Sequence, residues 1–398
     1  MVVYFRSRIY LPKIEIRTIV PDLNNIVAFK SKQPMKKSMR TPYCVIMAGG
    51  IGSRFWPMST EQTPKQFLDF LGTGESLIQQ TYSRVRRIFE PEHILVVTHA
   101  NYRLQTIEHL PELPEENIIL EPLRRNTAPC IAYAALKIKK RDDSANIYIT
   151  PADHLITDED AFEAQIRKGL EKTEEGDCFV TIGIKPHKPE TGYGYIQYDE
   201  TKYEGDIYNV KAFTEKPDLE HAKLFIQSGD FLWNAGMFIW NIDALSAGLD
   251  KHLPDLMSTL GRAWKDLDTK YESESIAKVY AECDNISIDY GLMERASKVC
   301  VIPTVMGWSD VGNWGAVYDL SKKDKNGNAI VGQNIIAQNC TNCLIVNSSE
   351  NKALVVDSLE EKIVVQTDKT SLTFPLGNDQ AIKQIAKAVR VELGEDFV

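Results

Sequence analysis

The chain has 398 residues, 43% hydrophobic and 25% charged, ordinary proportions for a folded globular protein. That length accommodates one large α/β domain with a smaller second unit. No run of the sequence approaches the ~18 uninterrupted apolar residues that span a bilayer, so no membrane role is expected. A formal charge of -9 argues against a general nucleic-acid binder, which needs a basic surface. It leaves room for a nucleotide neutralised locally by a few cations and a metal.

Residues 1–40 carry nine Lys or Arg against two acidic residues, a local +7 that leaves -16 for the remainder. Such a start reads as a basic extension outside the fold. It is either a transit peptide or electrostatic arm, or a mis-assigned gene start, since Met35 and Met39 stand just before the first strand. The apolar run Tyr43–Met47 predicts a buried strand closed by glycines. A helix is expected from about Ser76 to Phe89, with Leu77, Tyr82, Val85 and Phe89 at helical spacing. Strands follow at 93–98 and 116–120, then an alanine-rich helix from Ala128 to Lys140 and a strand at 145–150 that stops at Pro151. This alternation predicts a parallel sheet with helices on both faces and ligands at the carboxyl ends of its strands. The loops at 48–65 and 151–154 should therefore open on one crevice.

Beyond residue 175 the pattern is mixed. Glycine and aromatic residues cluster at 192–198, 232–240 reads as a strand with polar interruptions, and helices are expected at 218–228, 243–250 and 255–266. The catalytic domain is placed at 41–325. Short β-rich runs separated by turn residues then predict a small all-β, β-helix-like unit over 326–398, closed by a helix near Asp379–Val391. Such a unit buries little surface alone, so it is expected to pack on the catalytic domain or, in a homodimer, on a twin subunit. The seven cysteines suggest no disulfide framework, and Cys340 and Cys343 form a lone CxxC. Two buried thiols in a strand region fit it best, and reduced cysteines fit the cytoplasm.

The segment "MAGGIGSRFWP" (47–57) follows a strand. Gly49, Gly50 and Gly52 allow positive φ and close approach to a ligand, successive amides can form an anion nest, and Arg54 and Lys65 add positive charge. It is neither a Walker A loop nor a dinucleotide fingerprint, because no Lys-Ser or Lys-Thr follows the glycines and Phe55 holds the third glycine position. "AGGIGSRFWPMSTEQTPKQF" (48–67) resembles instead the signature of the sugar-1-phosphate nucleotidyltransferases, in particular the mannose-1-phosphate guanylyltransferases (GDP-mannose pyrophosphorylases). It departs at Thr60, where that family carries arginine, which shifts more of the pyrophosphate binding to Lys65. "EPLRRNTAP" (121–129), "PADH" (151–154), "ETGYGYI" (190–196), "FTEKP" (213–217), "WNAGMF" (233–238), "SIDYGLME" (287–294) and "GWSDVGNW" (307–314) resemble further family blocks in the same order. The resemblance spans Tyr43 to Thr367.

The resemblance implies a Rossmann-like, GT-A-like α/β nucleotidyltransferase domain with a mixed, mostly parallel sheet. It implies a nucleotide site of Ala48, Gly49, Gly50, Gly52, Ser53, Arg54, Lys65, Glu121, Asn126 and Thr127. Glu121 or a backbone carbonyl would accept the guanine donors, while Asn126 or Thr127 would equally serve as a helix N-cap. Asp153 and Asp310 would hold Mg²⁺, which prefers one or two carboxylates plus phosphate oxygens and waters. His154 would orient or pack. Glu215 and Asn234 would bond sugar hydroxyls, Lys216 would meet the sugar phosphate, and Gly194 and Asp289 would complete the sugar pocket, with Glu294 beside it. The implied reaction joins mannose 1-phosphate to GTP, with Arg54, Lys65, Asp153, Lys216 and Asp310 as catalytic groups and no general base. A nucleotidyltransferase for another sugar or base, and a non-catalytic nucleotide-sugar sensor, are the alternatives. A histidine-bound metal in the tail is excluded, because all seven histidines lie at or before His252.

Overall fold

The computed structural model describes residues 40–174, 176–378 and 381–398; the basic extension, apart from Arg40, lies outside the described residues. The opening strand β1 (Pro42–Ala48) buries both faces, with Cys44, Val45 and Ile46 at 0% exposure. It pairs in parallel with β2 (Ile94–His99) and β4 (Asn146–Pro151), and β2 pairs in parallel with β3 (Ile118–Glu121). Val45 faces one core with Leu95, Val97 and Ile147, whereas Cys44 and Ile46 face another with Ile94, Val96 and Tyr148. That alternation requires helices on both sides. Ile78, Tyr82 and Val85 of α1 (Leu77–Val85) cover the second face, beside α2 (Arg103–His109). α3 (Thr127–Arg141) covers the first through Ile131, Ala134 and Ile138. After the short β5 (Leu155–Ile156), α4 (Glu159–Glu174) returns to the second face through Phe162 and Ile166. α1 starts where the helical spacing placed it, with Ser76 and Gln79 forming a capping box, but ends at Val85, short of the expected Phe89.

The sheet continues through β6 (Phe179–Ile184), β7 (Gly194–Glu204), β8 (Ile207–Glu215), β9 (Phe231–Asn241) and β10 (Val299–Thr304), giving nine strands in the order β3-β2-β1-β4-β9-β6-β10-β8-β7. The expectation of a mostly parallel sheet holds for β3-β2-β1-β4 and again for the pair β6 and β10, but the other pairings are antiparallel. β9 runs antiparallel to both β4 and β6, and β8 is antiparallel to β10 and β7. For β7 and β8 the cause is local. Gly205 and Asp206, with φ of 50° and 63°, turn β7 into β8 as a two-residue hairpin, which needs no crossover helix. α5 (Leu219–Ser228), α6 (Ile242–His252), α7 (Pro254–Gly261) and α8 (Glu272–Glu282) complete this part, with α7 ending earlier than the expected 266. β11 (Trp308–Ser309) pairs with β5, and α9 (Trp314–Leu320) follows.

The terminal β-rich segment contains β12 (Ala329–Gly332), β13 (Ile335–Gln338), β14 (Leu344–Asn347), β15 (Leu354–Asp357), β16 (Lys362–Gln366) and β17 (Ser371–Pro375). β12, β14 and β16 stack in parallel, β13 stacks on β15, and β17 closes antiparallel on β16. The Cys340 and Cys343 thiols are buried with Ile345, Leu354 and Val364. The segment shares one core with the glycine-rich loop: Phe55, Trp56, Phe70 and Trp314 pack with Leu344, Ile363, Val365 and Ile382. α10 (Ile382–Leu393) therefore docks on the loop as well as on the strands. Among the described residues no helix is long and apolar enough to cross a membrane.

Candidate active site

The parallel strands β1, β2, β3 and β4 bring Ala48, His99, Glu121 and Pro151 to one edge of the sheet, and β9 reaches that edge at Gly236, whose added Cβ would lie 3.6 Å from Pro151. Two adjoining cavities open there. The first, about 320 Å³, is lined by Ala48, Gly49, Gly50, Glu121, Asn126, Thr127 and Asp153, with Gln66, Arg124 and Arg125. The second, about 220 Å³, is lined by Gly194, Glu215, Asn234, Asp289 and Asp310, with Tyr193 and Trp308. Met47, Thr127 and Pro151 belong to both walls.

In the first cavity the backbone does much of the shaping. Only Gly52 of the three loop glycines has positive φ, 75°, and a Cβ there would stand 2.4 Å from Lys65 Cβ. The expectation of positive φ at Gly49 and Gly50 is corrected. Gly50 has nothing within 4 Å of an added Cβ, so both serve open approach to the cavity. Gln66 Nε2 and Thr98 Oγ1 donate to the Ala48 carbonyl at 2.9 and 3.0 Å, fixing the strand end. Glu121 is buried, and its Oε1 accepts the Tyr280 hydroxyl at 2.9 Å. Burial lifts its carboxyl to about 7, against the opposing pull of Tyr280 and Arg124. Asn126 Oδ1 accepts the Thr127 amide at 2.9 Å and so caps α3, whereas Thr127 Oγ1 accepts the Ile288 amide at 2.9 Å and ties the helix to a distant loop; both line the cavity.

Ser53 and Arg54 do not line this cavity. They sit in a single 3-10 turn, Ser53–Phe55, with Ser53 exposed. Arg54 Nη1 reaches the Gly312 carbonyl at 3.4 Å. Lys65 is buried beneath the loop, 5% exposed, and its ammonium donates to Asp153 Oδ2 at 2.8 Å and to the Asp310 carbonyl at 2.7 Å. Lys65 thus joins the two cavities. Burial alone would raise the Asp153 carboxyl, but Lys65 and His154 hold it below the usual carboxylate range. Burial lowers the His154 imidazole, which stays neutral and accepts the Trp308 indole N–H at Nδ1, 3.2 Å away.

In the second cavity side chains form a network. Tyr193 packs edge-on between Trp233 and Trp308 at 5.1 and 5.3 Å and donates its hydroxyl to Asp310 Oδ1 at 2.6 Å. Burial, then Asp310, raise the phenol, so it remains a donor. Asn234 Nδ2 donates to Asp289 Oδ1 at 2.8 Å. Burial and the nearby Glu215 lift the Asp289 carboxyl to about 6 and raise that of Glu294. Glu215 pairs with Lys216 and packs so closely on Gly194 that a Cβ there would lie 2.3 Å from its Oε2. Lys216 and Val311 take φ of 50° and 42°, each next to a site carboxylate. For a β-branched valine that is a strained conformation held by its surroundings, of the kind found at functional sites.

Of the expected set, Ser53 and Arg54 line neither cavity, Gly52 packs on Lys65, Lys216 pairs with Glu215, and the remaining residues lie at one edge. Sequence reasoning passed over Gln66, Arg124, Arg125, Tyr193, Trp308 and Tyr280. All but Tyr280 lie inside the quoted blocks, and Tyr280 reaches Glu121 only through the packing of α8.

A buried lysine bridging the Asp153 carboxylate and the Asp310 carbonyl stands where a glycine-lined cavity adjoins one lined by polar side chains. A nucleotidyl transferase family model matches residues 43–327, and the chain belongs to that family. The Klebsiella pneumoniae mannose-1-phosphate guanylyltransferase is 37% identical over 353 residues, covering 87% of this chain and 73% of that protein. The alginate biosynthesis protein AlgA of Pseudomonas syringae is also 37% identical, covering 86% of this chain and 70% of its own length. A crystal structure from Thermus thermophilus, described as a mannose-1-phosphate geranyltransferase, superposes with a TM-score of 0.79 at 29% identity, covering 88% of this chain and 99% of that one.

Proposed function

We propose that the protein is a mannose-1-phosphate guanylyltransferase, converting α-D-mannose 1-phosphate and GTP to GDP-mannose and diphosphate. The observation that carries this reading is the junction of two unlike cavities at Lys65, Asp153 and Asp310. Guanine presents donors at N1 and N2, and Glu121 offers acceptor oxygens at the end of β3. Glu215, Asn234 and Asp289 offer the donors and acceptors that vicinal hydroxyls need. The similarity to enzymes named for this reaction selects mannose among the sugars.

A phosphate oxygen of the sugar 1-phosphate attacks the α-phosphorus of GTP in line. The new P–O bond forms as the bond to the β-phosphate oxygen breaks, and diphosphate leaves. No proton need move, because the nucleophile is already an anion. The task of the protein is to bring two anions together. Lys216 receives the sugar phosphate; Lys65 and Arg54, with the loop amides, offset charge growing on the departing diphosphate.

The chemistry of the donor set fits a divalent ion. Asp153 is held ionised and Asp310 is fixed by Tyr193, so two oxygen donors of the kind that suit a hard cation stand at the junction. We propose Asp153 and Asp310 as the holders, with Mg²⁺ as the ion, since two carboxylates plus phosphate oxygens suit it. When bound it would supply further charge compensation between the two phosphates.

Catalysis is assigned to 41–325, with 326–398, read as a short β-helix, supporting the loop. The seven free cysteines of the chain suit a cytoplasmic setting. Mixing the purified chain with Mg²⁺, GTP and mannose 1-phosphate should yield GDP-mannose by mass and equimolar diphosphate. Faster diphosphate release with UTP or ATP, or with another sugar 1-phosphate, would replace this substrate assignment.

A further inference from the structure

The core face of α1 contains a charge. Arg84 is 2% exposed, and Thr81, one turn earlier, is fully buried beside Ile78, Tyr82 and Val85. The guanidinium lies over the Phe162 ring, 5.4 Å from its centroid, and has no ion pair among the described residues. Glu159, whose field reaches it, pairs with Arg87 at 3.2 Å instead. The Arg84 Nε is buried without a hydrogen-bond partner among the described residues. A cation taken out of water without a carboxylate costs stability, so an apolar residue of similar size would serve the core better.

What Arg84 does touch is the segment that carries Asp153. Its Nη2 donates to the His154 carbonyl at 3.3 Å and to Thr81 Oγ1 at 3.1 Å. The Thr81 hydroxyl donates in turn to the Ala152 carbonyl at 3.2 Å. A hydroxyl has one proton to give, and by occupying a lone pair Arg84 directs that proton toward Ala152. The carbonyls on either side of Asp153 are thus held by one buried cation, one directly and one through Thr81. Lys65 holds the carboxylate itself, at 2.8 Å.

We propose that Arg84 is a positioning residue for Asp153, fixing the backbone of residues 152–154 so that the carboxylate faces the junction of the two cavities. The inference rests on the reading of Asp153 as a holder of the divalent ion. Arg84 lines neither cavity and acts only through the two carbonyls. Its burial is a cost to the fold that the site uses.

The test compares the full chain as wild type, R84M and D153N, by amide hydrogen exchange without ligand and by steady-state turnover. Methionine keeps the apolar stem and removes the charge and its donors. In R84M the amides of 152–155 should exchange about tenfold faster, as expected for the loss of one charged hydrogen bond. Exchange in β2 and the melting temperature should hold. The Mg²⁺ concentration for half-maximal turnover should rise about tenfold, with KM for mannose 1-phosphate within about twofold of wild type. Unchanged exchange over 152–155 overturns the proposal. So does an equal increase in β2 with a lower melting temperature, which would make Arg84 a packing residue. If R84M does not fold, T81V and T81S decide. T81S keeps the hydroxyl and should match wild type, T81V should loosen 152–155, and equal exchange in the two overturns the proposal. Normal turnover of D153N counts against the metal reading instead, and leaves the exchange result to stand by itself.

Discussion

The two cavities of the active site are built from opposite materials. The proposed nucleotide side has glycine backbone at Gly49 and Gly50 in its wall, and of its two carboxyls Glu121 is lifted by burial to about 7 while Lys65 holds Asp153 low despite burial. The sugar side is walled by a side-chain network, Tyr193–Asp310 and Asn234–Asp289, with Glu215 against Gly194. The contrast matches the proposed ligands. A triphosphate presents many equivalent oxygens and is met by amides and fixed cations, whereas a hexose presents hydroxyls that must be told apart by directed donors and acceptors. Lys65, touching both Asp153 and Asp310, is where the two schemes meet.

The comparison breaks most readily at that junction. Asp153→Asn keeps an oxygen for Lys65 but removes a charge, so turnover should fall about a thousandfold, roughly 4 kcal/mol. The melting temperature should shift by no more than about 4 °C, as expected for a loss near 1 kcal/mol or less. Steady-state diphosphate release and a thermal melt measure both, and near-normal turnover at saturating Mg²⁺ would remove Asp153 from the proposed metal site.

Gly194→Ala tests whether the sugar side stands apart. Its Cβ would lie 2.3 Å from Glu215 Oε2 and 3.2 Å from Asn234 Cβ, so the carboxylate must move. The KM for the sugar phosphate should rise about a hundredfold, the ~2.7 kcal/mol of a displaced hydroxyl partner, with GTP affinity unchanged. An equal loss of GTP affinity would mean that the cavities are one unit.

Glu121→Gln addresses the nucleotide side and should weaken GTP about tenfold, roughly 1.4 kcal/mol. The sign of its pH dependence follows from the raised carboxyl. Below about 7 the empty protein holds Glu121 protonated, and ionisation above it frees a second acceptor oxygen for guanine. The advantage of wild type over the variant should therefore grow as pH rises through about 7. Calorimetry on both proteins at several pH values would show it, and a constant ratio would assign base recognition to a backbone carbonyl. The smallest effect is expected for Tyr193→Phe, which frees Asp310 Oδ1 without opening a cavity: kcat lower about fivefold, near 1 kcal/mol, with both KM values held. A change confined to KM would make Tyr193 a wall of the sugar pocket only.

Much of the catalytic edge was legible because its signals are local. A short apolar run ending in glycines, a capping box at Ser76 and an alanine-rich helix after Asn126 each report on a few neighbouring residues. The quoted blocks held almost every lining residue, although Arg124, Arg125 and Tyr193 stood in them unremarked. Strand direction in the second half of the sheet was not legible, since an apolar strand reads alike in either direction; the Gly205–Asp206 turn sets it for β7 and β8, and long-range pairing sets it for β9.

By itself the sequence determined the parallel β1–β4 core, the glycine-rich loop at its edge and the kind of chemistry the blocks support, because periodicity and turn chemistry act over a few residues. Only the tertiary structure decided that Lys65 lies beneath the loop between two aspartates, that Tyr280 meets Glu121, and that Arg54 reaches the Gly312 carbonyl. These contacts join residues more than eighty positions apart, and no local pattern specifies them. They form because the buried sheet and the shared aromatic core around Trp56 and Trp314 leave each side chain one place to go.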